Sequence, residues 1–257
     1  MPDAFASAAL YSYGVYTSFT VQDRRVLAWD RHVDRLLRDA RGFLGVTVAR
    51  ADVAKSVSTY LDARDDHIGP LTVRVSVYPQ DLSIAEPGTS TSPLILVTGR
   101  TGSSVTSTSL RLVAQELDRT FTEFKVTNVA AALRTRADAQ AEGFDDALFV
   151  GSSGISEGPT WNFFAIFEDR SIVTPPLTSG VLPGVTRSLI IDSLDLDVSE
   201  RPIAAADLAA TSAAFVTNSV IGARSVARIN HRDLDSEHPV VGEIQRAYAM
   251  LAPQDVG

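Results

Sequence analysis

The sequence contains no cysteine. This absence excludes disulfides, thiolate metal sites and a cysteine nucleophile. Lysine is almost as scarce, because Lys55 and Lys125 are the two lysines of the chain and its other basic side chains are arginines. A buried lysine amine can lose its proton and attack a carbonyl. Each lysine is therefore a candidate for covalent chemistry, although scarcity by itself does not identify a catalytic residue.

Other features are missing as well. No apolar run reaches the roughly 18 residues of a membrane helix, and the N-terminus lacks the basic start and long apolar core of a secretory signal. The four histidines show no metal-ligand spacing, and no phosphate-binding G-x-x-x-x-G-K-[ST] motif is present. The formal net charge of −8 argues against a nucleic-acid surface. We therefore expect a cytoplasmic protein with no metal, nucleic-acid or membrane partner.

Length and composition suit an ordinary globular protein. Hydrophobic residues make up 45% of the 257 positions and charged residues 21%. A segment rich in glycine, serine and threonine, TGRTGSSVTSTS, is the best linker, so we predict domains at 1–104 and 105–257. Strand runs are mixed with single helices and show no regular βαβ alternation, which indicates an α+β fold.

In the N-terminal half, the pattern predicts a hairpin over residues 10–30 with its turn at VQDR. A helix follows with Asp30 as its N-cap, and a second helix covers residues 51–63. LTVRVSVYP and PLILV are predicted strands.

In the C-terminal half, SLRLVAQ is a predicted strand and a helix runs from Thr127 to Ala141, with Leu133 on a packing face. Short strands follow through NFFAIF, and Pro183 suits the first turn of the next helix. AAFVTNS and SVARIN are predicted strands. VVGEIQRAYAML is a predicted amphipathic helix.

Lys125 is the residue around which the motifs are arranged. Locally it could be an ordinary surface lysine at a strand-to-helix junction. After it come Asn128, an alanine-rich helix, GFDDALFV, GSSGISEGPTWNFF and LPGVTR. This order, spread from about Tyr13 to Val226, resembles the class IV pyridoxal 5'-phosphate (PLP) aminotransferases, which include branched-chain and D-amino-acid aminotransferases and aminodeoxychorismate lyase.

The resemblance implies PLP fold type IV, with a small N-terminal α/β domain, a larger C-terminal pseudo-barrel domain that binds PLP, and a homodimer. It also implies that Lys125 holds the cofactor as a Schiff base and moves the substrate proton. Glu157 and Asn162 reproduce the family pattern E-x-x-x-x-N, in which the glutamate pairs with the pyridine nitrogen. Without the resemblance, Glu157 could equally be a solvated carboxylate on a hairpin.

The phosphate contacts are also implied by resemblance. LPGVTR places backbone N–H groups at a helix start, where the helix dipole favours an anion. By itself the segment could be an ordinary helix start, and Arg35 in HVDRL could be an ordinary solvated arginine. The residues that match the family's phosphate site are Arg35, Val185, Thr186, Asn218 and Ser219.

The predicted substrate contacts are less specific. Tyr16 matches an aromatic residue that lines the family's active site. Thr17 follows it where many members carry glutamate, which is more similar to aminodeoxychorismate lyase. Arg74 and Arg100 could pair with a substrate carboxylate or be structural. Only about a dozen residues precede the GVY segment, so part of the small domain's edge could be absent or replaced by a partner chain.

These observations leave three hypotheses. The first is a PLP-dependent aminotransferase that exchanges an amino group between an amino acid or amine and a keto acid. The second is a lyase of the same family that releases pyruvate. The third is a non-catalytic family member with a binding or structural role.

Overall fold

The structure, a computed structural model, describes residues 11–64, 69–101 and 108–256. The centre of the predicted linker and the domain boundary near residue 105 lie outside these ranges, as do His67 and the first ten residues. The helices with defined bounds are α1 (Trp29–Asp39), α2 (Arg50–Asp62), α3 (Ala130–Ala141), α4 (Val185–Ser193) and α5 (Pro239–Ala249).

The strands are β1 (Val15–Gln22), β2 (Arg25–Val26), β3 (Leu71–Pro79), β4 (Pro93–Thr101), β5 (Leu110–Glu116), β6 (Asp146–Gly151), β7 (Gly154–Ile155), β8 (Asn162–Phe167), β9 (Ile172–Thr174), β10 (Val198–Glu200), β11 (Thr211–Asn218), β12 (Gly222–Ile229), β13 (Arg232–Asp233) and β14 (Gln254–Asp255). This mixture of helices with antiparallel and parallel strands is the α+β architecture that the sequence predicts.

Contacts divide the chain into two compact units. Among the described residues, the first unit comprises 11–64, 69–101, Phe124–Asn128 and 252–256, and the second comprises 108–123 and 129–251. The short segment that carries Lys125 thus packs with the first unit, although the chain on both sides of it belongs to the second. The domain limits 1–104 and 105–257 remain a prediction.

The first unit is a sheet with strand order β14-β2-β1-β3-β4. The predicted hairpin is present, with Gln22 opposite Arg25 and a turn at Asp23 and Arg24, both at positive φ. One sheet face carries valines and Phe19, which pack against α1 and α2 in the core of this unit. Tyr16 and Arg74 lie on the other face because side chains alternate along a strand.

The second unit is a mixed sheet with order β10-β9-β8-β11-β12-β5-β6-β7, and β13 pairs with β12. Its two faces hold separate cores, because alternate residues of β8 and β11 point to opposite sides. Phe164 and Phe215 stack at 4.6 Å on the face that α4 and α5 cover. Asn162 and Thr217, opposite each other in the ladder, extend this face towards the start of α4.

Several element boundaries differ from the predictions. Helix α1 begins at Trp29 with Ala28, not Asp30, in the N-cap position. Strand β4 extends to Thr101, so the first residues of the predicted linker are instead paired with β3. Helix α3 begins at Ala130 rather than Thr127, and Leu133 is 53% exposed rather than packed. Helix α4 begins at Val185, after Pro183. No helix within residues 11–64, 69–101 and 108–256 could span a membrane.

Candidate active site

Lys125 is fixed through its backbone. Its N–H donates to Oδ2 of Asp39 at 3.0 Å, and its carbonyl accepts from the N–H of Tyr16 at 2.8 Å. Thr127 N–H donates to the carbonyl of Gly14 at 2.8 Å, so the segment pairs with the start of β1. On this edge of β1, strand β2 pairs only with Val21 and Gln22 at the far end, which leaves the start of β1 for the lysine segment.

The side chain of Lys125 lies beside an aromatic ring. Its Nζ is 4.7 Å from the ring centroid of Tyr16, and Cζ of Arg74 is 3.7 Å from the same centroid. Both cations can therefore interact with the ring's negative face. Nε of Arg74 donates to Oγ of Ser76 at 3.2 Å, which orients the guanidinium. The structure thus brings together three of the predicted site residues on the polar face of the sheet.

Arg100 and Thr17 are not part of this group. Arg100, on β4, lies opposite Thr72 of β3 and is exposed. Thr17 is next to Tyr16 on β1, so its side chain points to the opposite, core face. There it is 1% exposed.

Thr17 contacts two residues of α1 on that core face. Its Oγ1 lies 2.8 Å from Nδ1 of His32 and accepts a hydrogen bond from Nη2 of Arg35 at 3.0 Å. His32 and Arg35 are three positions apart and so project from one side of the helix. A row of polar side chains therefore crosses the otherwise apolar contact between α1 and the sheet.

Burial changes the protonation of this row. Burial lowers the pKa of Arg35 to about 10, while the nearby Asp39 carboxylate opposes that change. Burial also lowers the pKa of His32 well below its usual value, and the positive charges of Arg35 and Lys125 act in the same direction. Arg35 thus remains a cation at neutral pH and His32 is neutral.

Glu157 is a buried carboxylate in the second unit. Its Oε2 accepts from Nδ2 of Asn162 and from the N–H of Leu182, each at 3.0 Å, and its Oε1 accepts from Arg119. These three donors stabilise the ionised form. A carboxylate offers about four acceptor positions, so one position on Oε1 is left for a further donor such as a protonated ring nitrogen.

The start of α4 is suited to an anion. The N–H groups of Val185 and Thr186 belong to the first turn, whose N–H groups have no intrahelical partners, and within the described part of the chain no side chain caps the helix. Oγ1 of Thr186 lies 3.2 Å from Oγ of Ser219 and 3.4 Å from the hydroxyl of Tyr248. A Cβ at Gly184 would clash with Oδ1 of Asn162, so glycine is required where the chain enters the helix.

The side chain of Asn218 is hydrogen-bonded within a turn, unlike those of the predicted phosphate ligands Thr186 and Ser219. Its Oδ1 accepts from the N–H groups of Val220 and Ile221, each at 2.9 Å, and its Nδ2 donates to the carbonyl of Thr160 at 3.1 Å. These bonds hold the β11–β12 turn. The amide side chain is therefore already used by the protein, whereas Ser219 faces Thr186.

These residues fit a phosphorylated pyridine. A helix start with two hydroxyls suits a phosphate, and a buried carboxylate with a spare acceptor position suits a protonated ring nitrogen. The hydroxyl of Thr217, 1% exposed and next to Asn162 in the sheet, has no hydrogen-bond partner within the described ranges. Buried hydroxyl groups without a hydrogen-bond partner are uncommon in folded proteins.

Sequence reasoning missed several neighbours of the predicted residues. Arg119 contacts Glu157 from 38 positions away, and nothing in the surrounding sequence, ELDRTF, signals this. Tyr248 approaches Thr186 from the last helix. His32 could have been found, because its spacing from Arg35 places both on one face of a helix.

The chain is similar to proteins of a known family. Residues 14–229 match the family described as Amino-transferase class IV. A probable branched-chain-amino-acid aminotransferase from Rickettsia typhi is 26% identical over 236 residues, which cover 87% of this chain and 80% of that protein. A protein of the same description from Aquifex aeolicus is 29% identical over 120 residues, 44% of this chain, and this alignment spans only 38% of the relative.

Solved structures share the fold. A branched-chain aminotransferase from Thermoproteus uzoniensis has a TM-score of 0.84 at 21% identity, covering 95% of this chain and 86% of that one. A putative 4-amino-4-deoxychorismate lyase from Legionella pneumophila has a TM-score of 0.85 at 22% identity, covering 95% and 93%. The match of the family over most of the chain is decisive: the chain belongs to the class IV aminotransferases, a family of enzymes with PLP fold type IV.

Proposed function

We propose that the protein is a PLP-dependent aminotransferase that exchanges an amino group between an amino acid or amine and a keto acid. The observation that carries the proposal is the buried Glu157 carboxylate, held ionised by three donors with one acceptor position left. Burying a charge is costly unless it is paired. A charged carboxylate that still has a hydrogen-bond acceptor position is suited to stabilise a protonated ring nitrogen of a ligand.

Lys125 would anchor the cofactor covalently. Bound PLP would supply the conjugated ring that accepts electron density from the substrate's α-carbon. The Lys125 amine is the group that can remove and return the proton of that carbon. Its backbone bonds to Asp39 and Tyr16 restrict where the amine can reach, which lowers the entropy lost in orienting it.

The phosphate would be held at the start of α4. The amides of Val185 and Thr186 and the hydroxyls of Thr186 and Ser219 can each donate to a phosphate oxygen. Arg35 would add the positive charge. Asn218 remains a predicted ligand, but its side chain is engaged in the turn, so we expect it to act only by shaping that turn.

Arg74 is the better of the two candidates for a substrate carboxylate. It is partly buried, is oriented by Ser76, and shares the ring of Tyr16 with Lys125. A guanidinium can bind a carboxylate through two parallel hydrogen bonds. Branched-chain amino acids are the first donors to assay, because that substrate class appears in the names of the relatives.

A lyase that resembles aminodeoxychorismate lyase is the alternative. Thr17 favours it, because threonine follows the aromatic residue where many transaminases of the family carry glutamate. The two activities can be separated directly. A lyase releases pyruvate from aminodeoxychorismate without an amino acceptor, whereas a transaminase requires one. Family membership argues against a non-catalytic role.

The test is to incubate the purified protein with PLP, reduce it with borohydride and map the labelled peptide by mass spectrometry. A pyridoxyl group on Lys125, followed by keto-acid-dependent amino transfer, is the expected result. Labelling of Lys55 instead, or no uptake of PLP, would overturn the proposal. The cytoplasmic location and the homodimer stay predictions, to be measured by cell fractionation and by sedimentation.

A further inference from the structure

The Thr17–His32–Arg35 row contains one proposed phosphate ligand, Arg35, and two residues, Thr17 and His32, that take no part in the chemistry proposed above. All three residues are buried, at 1%, 0% and 7% exposure, between β1 and α1. Burying polar groups between a helix and a sheet destabilises a fold relative to apolar packing unless they are hydrogen-bonded. We therefore expect at least one of these three residues to have a functional role.

Arg35 is the member whose geometry depends on the other two. A guanidinium can only donate hydrogen bonds, so Thr17 accepts from Nη2 of Arg35 whichever tautomer His32 adopts. Nδ1 of His32 contacts the same hydroxyl at 2.8 Å. The histidine thus fixes the rotamer of Thr17, and Thr17 fixes the end of the Arg35 side chain.

We propose that Thr17 and His32 are positioning residues that hold the Arg35 guanidinium for the cofactor phosphate. The proposal rests on the proposed function, in which Arg35 binds that phosphate. Both residues act without carrying a charge of their own, because Thr17 is never ionised and His32 sits beside two cations. These two neutral side chains orient the guanidinium without adding a second carboxylate to that of Asp39, which is already near Arg35.

This assignment gives Thr17 a role distinct from substrate contact. Its side chain is on the core face of β1, whereas Tyr16, Arg74 and Lys125 meet on the other face. A change at Thr17 should therefore alter the affinity for the phosphate of the cofactor and not the affinity for its ring. PLP and pyridoxal differ only in the phosphate, so the pair separates these two effects.

The experiment measures the dissociation constants of PLP and of pyridoxal, each by absorbance titration of the apoprotein. For Thr17→Val we expect PLP to bind roughly 3- to 10-fold more weakly, the range of one lost hydrogen bond, and pyridoxal to bind unchanged. Thr17→Ser keeps the hydroxyl and should restore PLP affinity. Thr20→Val, on the same strand but on its other face, is the matched control and should change neither constant.

Two further variants test whether the effect runs through Arg35. His32→Leu should weaken PLP binding as Thr17→Val does. Combining the two substitutions should add little, because both disrupt the same hydrogen-bonded contact that orients Arg35. In an Arg35→Met background, Thr17→Val should have no additional effect on PLP. Far-ultraviolet circular dichroism and thermal melting establish that each variant is folded. If His32→Leu does not fold, His32→Asn is the milder substitution that replaces it.

The outcomes that would overturn the inference are specific. Equal weakening of PLP and pyridoxal in Thr17→Val would place Thr17 against the ring or the substrate. An unchanged PLP constant in folded Thr17→Val would remove its positioning role, and so would an equal loss in the Arg35→Met background. Failure of the proposed function looks different, because the unmodified protein would then bind neither compound at Lys125.

Discussion

Asn162 donates its side-chain amide to Oε2 of Glu157 at 3.0 Å and to the carbonyl of Leu182 at 2.9 Å. One amide therefore ties the carboxylate of a loop to the segment that leads into α4. Because Leu182 N–H also donates to Glu157, the anionic side chain and the entry to the helix form one hydrogen-bonded unit.

Glu157→Gln should lower kcat by about 10²-fold, a typical effect of removing a preorganised charge interaction. The neutral amide can still accept from Asn162 but cannot hold a ring proton electrostatically, and one of its ends now opposes Arg119. Steady-state kinetics and PLP titration measure the change. Glu142→Gln, at an exposed position after α3, is the control. Wild-type kcat in folded Glu157→Gln would contradict the role.

Lys125→Ala should abolish covalent labelling by PLP and borohydride, and should lower amino transfer by at least about 10³-fold through loss of the acid–base group. The chain supplies its own control in Lys55, an exposed residue of α2. Lys55→Ala should retain both labelling and activity. Mass mapping that finds the pyridoxyl group in Lys125→Ala would exclude Lys125 as the attachment site.

Arg74→Leu should raise KM for the amino donor about 10-fold or more, because a charge-assisted pair with the substrate carboxylate is lost. Arg100→Leu should leave KM near its original value, since Arg100 is exposed and away from Tyr16. Initial-rate measurements with one donor compare the two. A larger effect from Arg100 would reverse this assignment.

Asp146 anchors the second unit through buried polar bonds. It accepts from Arg136 at 2.7 and 3.1 Å and from Nε1 of Trp161 at 2.8 Å. Asp146→Ala should lower the free energy of unfolding by about 2–3 kcal/mol, because buried Trp161 and partly exposed Arg136 both lose a charged acceptor. Asp138→Ala, which removes the exposed pair with Arg134, should cost less than about 1 kcal/mol. Urea unfolding measures both.

His32 should make stability depend on pH. Its pKa is lower in the folded protein than in the unfolded chain, where it is about 6.5. The unfolded chain therefore binds more protons below pH 6.5, and the free energy of unfolding falls as pH decreases, by at most about 1.4 kcal/mol per pH unit from this group.

His32→Asn should reduce that slope, whereas His231→Asn, at an exposed position, should not. Urea unfolding at several values between pH 7.5 and 5 gives the comparison. Identical slopes for His32→Asn and the unmodified protein would show that His32 titrates alike in the folded and unfolded states.

Much of the fold could be predicted from local pattern. LTVRVSVYP alternates and forms β3, and the apolar spacing after Asp30 forms α1. The boundary errors have physical causes. TGRT contains turn residues yet extends β4, because the neighbouring β3 supplies a complete set of hydrogen bonds. Leu133 fits a helical apolar face but is exposed, because only the side of α3 at Ala139 packs on the sheet.

In the site, too, some contacts could be predicted from the sequence and others could not. The E-x-x-x-x-N spacing joins Glu157 to Asn162, and such short-range relations can be predicted from the sequence. Arg119 at Glu157, Tyr248 at Thr186 and Asp39 at Lys125 are brought together only by the tertiary fold. The sequence predicts that Thr17 contacts the substrate next to Tyr16, but the alternation of side chains along β1 places Thr17 on the opposite face.

The lysine segment links folding to chemistry. Phe124–Asn128 packs with the first unit. The N–H of Lys125 donates to Asp39, its carbonyl accepts from Tyr16, and the N–H of Thr127 donates to Gly14. A C-terminal fragment that starts at residue 105 would still contain Lys125 but would lack β1, the strand with which the lysine segment pairs. Amide exchange at Lys125 and Thr127 should then follow the opening of the first unit, and partial unfolding there would inactivate the lysine while the second sheet stays intact.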